Sequence, residues 1–439
     1  MCRKAPMTPC EVTLNQILEA RERRAILQRS TLHEYGAPLL SFTMNLAGPI
    51  KRSPLSDFAF QAGERMIAAQ GWPIKQHIRL CQATGSEAVY AVDLPAPALK
   101  EAAVAMEEAL PLGRLFDMDV IGLDGMKLPR QIQRPCLVCG GPAAVCARSR
   151  AHGLKAVQAA THVLLAGFAA DTLGQAARWA LLEEVYLTPK PGLVDRANAG
   201  AHQDMDLRTF ERSAAALFPY FRQAVLAGLA QGAYAPAMAA LRQAGLEAEA
   251  AMFSATGGVN THKGLIYAMG LLLCGMGQSL AGHGENYLLH ARRLASVGLE
   301  EALQKAKSAP RSHGERIYSQ TGLLGARGEA AAGFPTAVKT HEALRSFRRS
   351  MPEESARILA LLASMAELTD TNLLHRGGED GLRFVQREAR RLLTLPQSAL
   401  MDSLGSFDAA CISRGLSPGG SADMLALALF LDRAEDWMP

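Results

Sequence analysis

Residues 155–186 read KAVQAATHVLLAGFAADTLGQAARWALLEEVY, and this stretch decides the fold of the larger part of the chain. Its apolar residues recur with a period near 3.6, which is the pattern of an amphipathic helix. Similar Ala- and Leu-rich segments follow, with hardly a β-branched run among them, so residues 154–439 are predicted to form an all-helical domain. The predicted helices are 155–186, 207–230, 236–254, 261–276, 286–306, 353–368, 380–394 and 421–434.

Residues 1–153 carry a mixed pattern. A helical stretch at 14–34 precedes the β-formers of PLLSFTMNLAGPIK (38–51), which must stop at Gly48-Pro49. Further signals indicate two short strands around Gly85-Ser86, a helix in 95–110, and a strand, an Asp124-Gly125 hairpin turn and a returning strand in 114–130. Because 439 residues exceed the size of one core, we expect two domains, an α+β unit over 1–153 and the all-α unit over 154–439.

The composition excludes several classes of protein. The longest apolar stretch, 264–277, is shorter than the ~20 residues of a membrane span, and the N-terminus lacks the apolar segment of a signal peptide. We therefore expect a cytoplasmic protein with no membrane partner, whose eight cysteines are mostly reduced. Residues 1–153 hold 18 Lys and Arg against 14 Asp and Glu, an excess too small for a nucleic-acid binder but suited to an acidic protein or a nucleotide.

Between Thr256 and Gly264 the chain reads TGGVNTHKG, which predicts a Gly turn followed by a helix start. Free N–H groups and the helix dipole favour an anion there, and glycines let the backbone approach it closely. We interpret the segment as a phosphate cradle with Asn260 as the helix cap. Its candidate phosphate-binding residues are Gly257, Gly258, Asn260, Thr261, His262 and Lys263.

A second polar segment, TPKPGLVDRANAGAHQDMD (188–206), has the same character. It offers Lys190, Asp195 and His202 as substrate-binding residues. Asp204 and Asp206 are candidate metal ligands, although Asp206 directly precedes a predicted helix and is equally suited to cap it. Together the two segments suggest a site for a polyphosphate and its metal.

Three more Gly-rich polar elements interrupt the helical domain, at 321–335, 369–381 and 417–423, and we predict them to be non-helical. Turns between helices need only one or two glycines, so the acids and bases that accompany them indicate a site. The candidates are Arg327, Glu329, Asp370, Asn372, Arg376 and Asp423.

In the first domain, Asp117 and Asp119 are two residues apart on a predicted strand, so both carboxylates point to one face. Two such oxygen ligands suit a Mg²⁺ ion bound to a triphosphate; the alternative is two exposed acids on an edge strand. Lys51 and Arg114 are candidate phosphate contacts, although an exposed lysine is commonly just solvated.

Cys136, Cys139, Cys146 and His152 form C-x2-C-x6-C-x5-H near the predicted domain boundary. Zinc accepts this set of ligands, but the second Cys pair of a regular finger is absent. We therefore prefer buried thiols to a structural zinc site here.

The motifs TPKPGLVD, GAHQDMD, TGGVNTHKG, GARGEAAAGFP and SPGGSAD closely resemble the triphosphoribosyl-dephospho-coenzyme A synthase family, and the match runs over essentially all of 155–439. LLSFTMNLAGPIK, RLFDMDV and RPCLVCGGPAAVCARSRAH resemble the apo-citrate lyase phosphoribosyl-dephospho-coenzyme A transferases. The whole chain is similar to a fusion of the two enzymes, which serve the prosthetic group of citrate lyase.

The resemblance implies two reactions. The helical domain would join ATP to 3′-dephospho-coenzyme A and release adenine, with Lys190, His262 and Lys263 on the triphosphate, metal on Asp204 and Asp206, and acid and base among Glu329, Asp370 and Asp423. The nucleotidyltransferase-like first domain would transfer the phosphoribosyl-dephospho-coenzyme A unit to a serine of the acyl-carrier subunit and release pyrophosphate, with Asp117 and Asp119 holding Mg²⁺.

Two other functions remain open from the sequence. A Mg²⁺-dependent ADP-ribose glycohydrolase would also place acids around a ribose, with water as the nucleophile. A non-catalytic assembly factor would only bind the carrier subunit through the basic first domain.

Overall fold

The computed structural model describes residues 9–230, 232–310 and 313–438. The chain forms two compact units. One comprises the residues up to Ala169 together with Leu280–Gly284, and the other comprises Ala170–Ser279 and Glu285–Met438. Among the described residues, no helix has the length and apolarity that a membrane span requires.

The first unit combines helices with a small antiparallel sheet. Its four strands, β1 (Leu39–Met44), β2 (Ile74–Gln82), β3 (Gly85–Val92) and β4 (Phe116–Ile121), lie in the order β2-β3-β1-β4. Its helices are α1 (Leu14–Tyr35), α2 (Pro54–Ala68), α3 (Ala96–Glu108) and α4 (Ala143–Ser149), and a short 3-10 turn covers Pro111–Leu115. Helices and strands are thus mixed here, as the sequence predicts for residues 1–153, although the compact unit extends to Ala169.

Aromatic packing forms part of the core of this unit beneath the sheet. Phe42 of β1 stacks on Phe60 of α2 with ring centroids 4.4 Å apart, and it meets the edge of Phe116 on β4 at 5.2 Å. Gly63 is required at this contact because a Cβ there would lie 2.3 Å from the Phe42 ring. The opposite face of the sheet packs against α1 through Leu27, Leu32 and Tyr35.

The predicted hairpin in 114–130 is wrong in its second half. Asp124 and Gly125 do form a turn, in which Asp124 Oδ1 accepts from Met126 N at 2.9 Å and Gly125 has a φ of 77°. Only the isolated bridge between Ile121 and Lys127 follows, so no returning strand forms in this described segment. Pro129 lies two residues further on, which limits the ladder that the segment can build.

The remainder of the chain is helical in its regular structure. Helix α5 (Leu154–Tyr186) is followed in the chain by α6 (Leu207–Ala230), α7 (Tyr234–Thr256), α8 (Lys263–Leu280) and α9 (Tyr287–Ser296). The following helices are α10 (Leu299–Ser308), α11 (His313–Thr321), α12 (Gly325–Ala332), α13 (Pro335–Phe347) and α14 (Glu353–Glu367). The last three are α15 (Thr371–Leu393), α16 (Gln397–Ser413) and α17 (Gly419–Glu435).

Several boundaries differ from the prediction. The segment 286–306 is two helices, because Gly298 adopts a φ of 65° between α9 and α10. The three Gly-rich elements expected to be non-helical instead contribute α12, most of the first half of α15 and the start of α17. Glycine lowers helix propensity but does not prevent a helix, and tertiary packing overrides that low propensity here. Gly378 interrupts α15 with φ 61° and ψ −161°, a conformation that favours glycine.

Candidate active sites

A cavity of about 1000 Å³ lies within the second unit. Its lining comes from α5, α7, α8, α12, the starts of α15 and α17, and the loops at 190–205 and 260–262. The structure therefore brings together residues that are more than 200 positions apart in the sequence. The predicted residues that line it are Lys190, His202, Asp204, Asn260, Thr261, His262, Lys263, Arg327, Glu329, Asp370, Asn372, Arg376 and Asp423. Asp195, Asp206, Gly257 and Gly258 lie outside the lining.

The start of α8 is built as a capped helix end. Asn260 Oδ1 accepts from Lys263 N at 3.2 Å, as the sequence predicts. Gly257 and Gly258 have φ of 68° and 90° and end α7, where both N–H groups bond to the carbonyl of Phe253. The turn between α7 and α8 requires these two glycines, so their presence is explained without any ligand.

His262 is buried and faces the cavity as a neutral ring. Its Nδ1 lies 2.7 Å from Ser213 Oγ, and Ser213 Oγ accepts from Thr261 Oγ1, also at 2.7 Å. Since the Ser213 hydroxyl then donates to Nδ1, the proton of His262 sits on Nε2. Burial lowers the pKa of His262 to about 3, and the nearby Lys190 acts in the same direction. His262 is thus a hydrogen-bond donor rather than a cation.

Lys190 and Glu184 form a buried ion pair in the cavity wall. Lys190 Nζ donates to Glu184 Oε1 at 2.5 Å, and the side chains are only 1% and 6% exposed. Burial raises the pKa of Glu184, while Lys190 opposes that rise. Asp195 organises the loop around the pair, because its Oδ2 accepts from Lys190 N at 3.0 Å and its Oδ1 accepts from Ala197 N at 2.7 Å.

One lysine and one arginine that line the cavity have substantially exposed side chains. Lys263 is 41% exposed, and its Nζ lies 2.8 Å from Glu249 Oε2. Arg327 is 37% exposed, and its Nη2 lies 3.0 Å from Glu315 Oε1. Surface ion pairs of this kind contribute little net free energy, so both cations are available to exchange their partner for a phosphate.

Two of the three candidate acids are occupied by helix ends. Glu329 accepts from Thr336 N at 2.6 Å, from Thr336 Oγ1 at 3.0 Å and from Ala337 N at 3.1 Å, which caps α13. Asp370 caps α15 through Asn372 N at 2.8 Å and binds the start of α17 through Ser421 N at 3.0 Å. Burial raises the pKa of Asp370, and these N–H bonds oppose the rise.

Asp423 is the third candidate acid, and it has no hydrogen bond or ion pair to any residue within the described ranges. It lies just after the first turn of α17 and opposite the start of α8, where a Cβ on Gly264 would be 3.1 Å from Asp423 Oδ2. Burial raises the pKa of Asp423 well above its usual range, and the carboxylates of Glu184 and Asp370 raise it further. These surroundings favour the protonated form of the carboxyl group.

His202 belongs to a network that fixes the loop before α6. Arg376 Nη2 donates to His202 Nδ1 at 3.1 Å, so Nε2 carries the proton toward Ser417 Oγ at 2.9 Å. Arg376 also donates to the carbonyl of Ala201 at 3.0 Å. Burial lowers the pKa of His202, and Arg376 lowers it further.

The predicted metal pair at Asp204 and Asp206 gains no support from this arrangement. Asp204 is 65% exposed, and its Oδ1 lies 3.8 Å from His202 Nδ1. Asp206 caps α6, because its Oδ1 accepts from both Thr209 N at 2.8 Å and Thr209 Oγ1 at 2.7 Å. Those hydrogen bonds lower the pKa of Asp206.

Sequence reasoning missed Glu184, Glu249 and Ser213 in this site. Glu184 does have a signal, because it follows the buried Ala180 and Leu181 at helical spacing and so lies on the apolar stripe of α5. A carboxylate at such a position needs a partner. Glu249 and Ser213 look like ordinary helix residues until α6, α7 and α8 are placed together.

In the first unit, Asp117 and Asp119 lie on one face of β4, as predicted. Their cross-strand partners on β1 are Thr43 and Ser41. Asp119 pairs with Lys127, and Asp117 Oδ1 lies 4.0 Å from Arg134 Nη2. The Asp119 and Asp117 side chains are 26% and 45% exposed, so both carboxylates can be reached from solvent.

The other predicted residues of the first unit have local partners. Lys51 Nζ donates to the carbonyl of Leu46 at 2.5 Å, and burial lowers the pKa of Lys51, with Arg21 adding to the effect. Arg114 Nε donates to the carbonyl of Pro135 at 2.7 Å. Glu87 of β3, which was not predicted, lies opposite Thr43 and is paired with Arg24 at 3.1 Å.

The cysteine cluster is not a set of buried thiols, so that expectation is wrong. Cys139 is exposed, and Cys136 and Cys146 are only half-buried. One ligand atom from each of these three residues and from His152 nevertheless lies within 4.8 Å of the others.

Comparisons with known proteins place both parts of the chain in transferase families. Residues 170–439 match the family of ATP:dephospho-CoA triphosphoribosyl transferases, and residues 12–167 match the family of apo-citrate lyase phosphoribosyl-dephospho-CoA transferases. The chain is 38% identical over 450 residues to Protein CitXG of Haemophilus influenzae, an alignment that covers 96% of each protein. It is also 39% identical over 320 residues to 2-(5''-triphosphoribosyl)-3'-dephosphocoenzyme-A synthase of Haemophilus ducreyi, covering 67% of this chain and 98% of that protein.

The chain therefore belongs to the CitXG family, in which an apo-citrate lyase transferase unit precedes a triphosphoribosyl-dephospho-CoA synthase unit. It is a bifunctional transferase of citrate lyase prosthetic-group biosynthesis, as the sequence motifs predict. Neither a glycohydrolase nor a non-catalytic assembly factor fits these matches.

Proposed function

We propose that the cavity of the second unit joins ATP to 3′-dephospho-coenzyme A at the ribose of ATP. A ribose hydroxyl of dephospho-coenzyme A attacks C1′ of the ATP ribose and releases its proton to water. A new C–O bond forms, and the C1′–N9 bond breaks so that adenine leaves. The triphosphate stays on the sugar in the product, 2′-(5″-triphosphoribosyl)-3′-dephospho-coenzyme A. The cavity volume is at the upper end of ordinary ligand sites, which suits two nucleotide substrates.

Asp423 supplies the proton to the departing adenine. This assignment rests on one observation: of the three candidate acids, only Asp423 has no partner among the described residues, while Glu329 and Asp370 are bonded to helix ends. Burial and the neighbouring carboxylates raise the pKa of Asp423 well above its usual range, which favours the protonated form that a general acid requires. Displacement at C1′ builds positive charge on the sugar and negative charge on the base, so a positioned proton lowers the barrier.

Lys263 and Arg327 hold the triphosphate, together with the N–H groups at the start of α8 and the Nε2–H of His262. The two cations are partly exposed in the cavity, and their ion-pair partners among the described residues are the half-buried carboxylates of Glu249 and Glu315. Lys190 contributes less directly, because its charge is neutralised by Glu184 inside the wall. The predicted assignment of the triphosphate to Lys190, His262 and Lys263 is thus refined toward the two accessible cations.

The first unit acts as a nucleotidyltransferase on the carrier subunit. A serine hydroxyl of the acyl-carrier subunit attacks the phosphorus next to the sugar and releases its proton to water. A new P–O bond forms, the P–O bond to the outer phosphates breaks, and pyrophosphate leaves. Asp117 and Asp119 fit a Mg²⁺ ion because they present carboxylate oxygens on one face of a strand and remain partly exposed. Bound there, the ion neutralises phosphate charge, while Lys127 and Arg134 balance the carboxylates in its absence.

Residues 1–153 and 154–439 are proposed as the two catalytic domains. The product of the second is the substrate of the first, so their covalent linkage raises the local concentration of the intermediate. ATP, 3′-dephospho-coenzyme A and the acyl-carrier subunit are the three partners that this assignment requires.

Adenine release, measured by chromatography on the full chain, tests the assignment. Asp423→Asn is expected to lower the rate about 10²- to 10⁴-fold, and Asp402→Asn, which removes an exposed acid of α16, is expected to leave it unchanged. A loss of less than about tenfold at Asp423 contradicts its role as acid. Adenine release that proceeds equally well without dephospho-coenzyme A contradicts the transferase reaction itself.

Asp117→Asn separates the two activities. Carrier modification, followed by mass spectrometry of the acyl-carrier subunit, is expected to stop, while adenine release continues at the normal rate. Loss of both activities would argue against two separate sites.

A further inference from the structure

The segment after β4 brings three sulfur atoms and one imidazole together. Cys136 and Cys139 lie in a tight turn, Cys146 lies in α4, and His152 follows the end of that helix. All four ligand atoms are within 4.8 Å of one another, and the Sγ atoms of Cys139 and Cys146 are 3.5 Å apart. Ligands at ~2.3 Å from a tetrahedral zinc ion are ~3.8 Å from one another, so the cluster has the dimensions of a closed metal site.

The turn that carries the first two cysteines aims backbone groups at a sulfur. Cys136 N donates to Gly141 O at 2.6 Å and Gly140 N donates to Cys136 O at 3.0 Å, with Gly140 at a φ of 73°. Val138 N points to Cys136 Sγ at 3.5 Å. N–H groups directed at a sulfur stabilise negative charge on it, as on a metal-bound thiolate.

His152 supplies an independent observation. Its Nε2 atom is buried and has no hydrogen-bond partner among the described residues. Leaving such an atom unsatisfied is costly, and a metal ion at the centre of the cluster would satisfy it. Helix α4 ends at Arg150 in the left-handed conformation, with a φ of 51°, and this reversal brings His152 back toward Cys146.

The same segment lacks a core of its own. None of the residues of α4, all of which the structure describes, is buried. Ile132, Val138 and Val145 are 71%, 39% and 60% exposed. A segment that buries so little apolar surface needs a cross-link to hold one conformation.

We propose that Cys136, Cys139, Cys146 and His152 bind a structural Zn²⁺ ion that holds this segment beside the Asp117–Asp119 strand. Four N and S ligands with no open position are typical of structural zinc. The ion would cross-link the segment that carries Arg134. Arg134 Nη1 donates to Phe116 O at 2.6 Å, and Arg134 Nη2 lies 4.0 Å from Asp117 Oδ1. Arg114 fastens the same segment through the carbonyl of Pro135.

Zinc analysis of the full chain tests the site. Protein expressed with added zinc and purified without chelator is expected to carry about one zinc ion per chain, measured by inductively coupled plasma mass spectrometry. Titration of the wild-type thiols with an organomercurial, in the presence of a zinc indicator dye, is expected to release the ion as three thiols react. Because these readouts use the wild-type protein, they do not depend on whether a variant folds.

Variants locate the ion. Cys139→Ser and His152→Asn are expected to lose more than half of the bound zinc, whereas Cys10→Ser, which replaces an exposed free cysteine, is expected to retain it. Adenine release by the second unit confirms that each variant chain is folded. Cobalt substitution is expected to give the intense visible absorption of a tetrahedral, sulfur-rich site in the wild type and to lose it in Cys139→Ser.

Two results would overturn the proposal. One is the absence of zinc and cobalt binding in wild-type chain that releases adenine normally. The other is a Cys139–Cys146 disulfide in the freshly purified protein, located by mass spectrometry of the peptides from a non-reduced digest.

Trypsin digestion tests the positioning role separately. Removing the ion with chelator is expected to speed cleavage after Arg130, Arg148 and Arg150 at least tenfold, and adding zinc back is expected to restore protection. An unchanged rate of cleavage after complete removal of the metal would contradict the proposal that the ion holds this segment in place.

Discussion

Lys190 Nζ and Glu184 Oε1 are 2.5 Å apart in a cavity wall that leaves both side chains almost without solvent. Each ion has lost its hydration, so the pair is held by mutual attraction rather than by water. Removing one partner leaves the other charge buried and uncompensated. Glu184→Gln is therefore expected to lower the free energy of unfolding by about 3–5 kcal/mol, measured by urea denaturation followed through the helical circular dichroism signal.

The chain offers a matched surface control for this pair. Arg383 and Glu379 lie on α15 at 2.6 Å with both side chains more than 70% exposed. Glu379→Gln is expected to change the free energy of unfolding by less than about 1 kcal/mol. Equal effects of Glu184→Gln and Glu379→Gln would mean that the buried pair is open to water.

Asp423 should make the protein less stable as the pH rises. Its folded-state pKa is raised above the ordinary 3.8, so between 3.8 and that raised pKa the folded chain keeps a proton that the unfolded chain has released. The contribution to stability is present in full below pH 3.8 and is lost as the pH rises through the folded pKa. Asp423→Asn removes this dependence, so the variant is expected to be more stable than the wild type at pH 8 while it loses adenine release.

Denaturation curves at several pH values check the sign. The stability advantage of Asp423→Asn is expected to grow as the pH rises and to level off once Asp423 has lost its proton in the folded state. An advantage that shrinks with rising pH would show that the carboxylate is stabilised in the fold, which is the opposite of what its neighbours imply.

Much of the fold could be predicted because local patterns decide it. The period of 3.6 gives α6 as 207–230, the bounds that the structure has. Period-two alternation places Asp117 and Asp119 on one face of β4. Asn260 could be recognised as a cap because the rule involves only residues three apart.

The roles of the acidic residues in the cavity could not be predicted from local sequence patterns. Glu329 and Asp370 stand in Gly-rich segments that look like loops, yet each carboxylate caps a helix whose start was not predicted. Whether an acid caps a helix or faces a cavity depends on where the next helix begins. Glu184 finds Lys190 only because the loop after α5 folds back, which is a tertiary event with no local signature.

His262 should remain neutral over the whole range in which the enzyme is handled. Its pKa is lowered to about 3 from the ordinary 6.5, so the unfolded chain gains a proton at a higher pH than the folded chain does. The contribution of His262 is present above pH 6.5 and is lost as the pH falls toward about 3. Nitrogen-15 NMR of the histidine rings is expected to show a neutral ring with the proton on Nε2 from about pH 5 to pH 9.

Ser213→Ala supplies the control for the His262 assignment. It removes the hydroxyl that lies 2.7 Å from Nδ1, so the preference for the Nε2–H tautomer is expected to weaken while the ring stays neutral. A charged His262 at pH 6 in the wild type would contradict its burial.

Asp206 should behave as a helix cap. Asp206→Ala removes both hydrogen bonds to Thr209 and is expected to cost about 0.5–2 kcal/mol of unfolding free energy, whereas Asp206→Asn keeps an acceptor and is expected to cost much less. Urea denaturation measures the difference. If Asp206 instead binds a metal, Asp206→Asn would be stable but would lose adenine release, so the pair of variants separates the two roles.

Gly420 tests how firmly Asp370 is held. A Cβ at position 420 would lie 3.0 Å from Asp370 Cγ and Oδ1 and 3.1 Å from Oδ2. That carboxylate cannot move aside, because it already accepts from backbone groups of α15 and α17. Gly420→Ala is therefore expected to lower the free energy of unfolding by about 1–3 kcal/mol through overpacking, measured by urea denaturation.

Gly405 of α16 is the matched control for Gly420. It is exposed, and no atom of the described residues lies within 4 Å of the position that a Cβ would take there. Gly405→Ala is expected to raise the free energy of unfolding by about 0.5–1 kcal/mol, because alanine loses less backbone entropy than glycine in a helix. The two Gly→Ala changes thus act in opposite directions, and a stabilising effect at Gly420 would mean that Asp370 swings freely at the cavity wall.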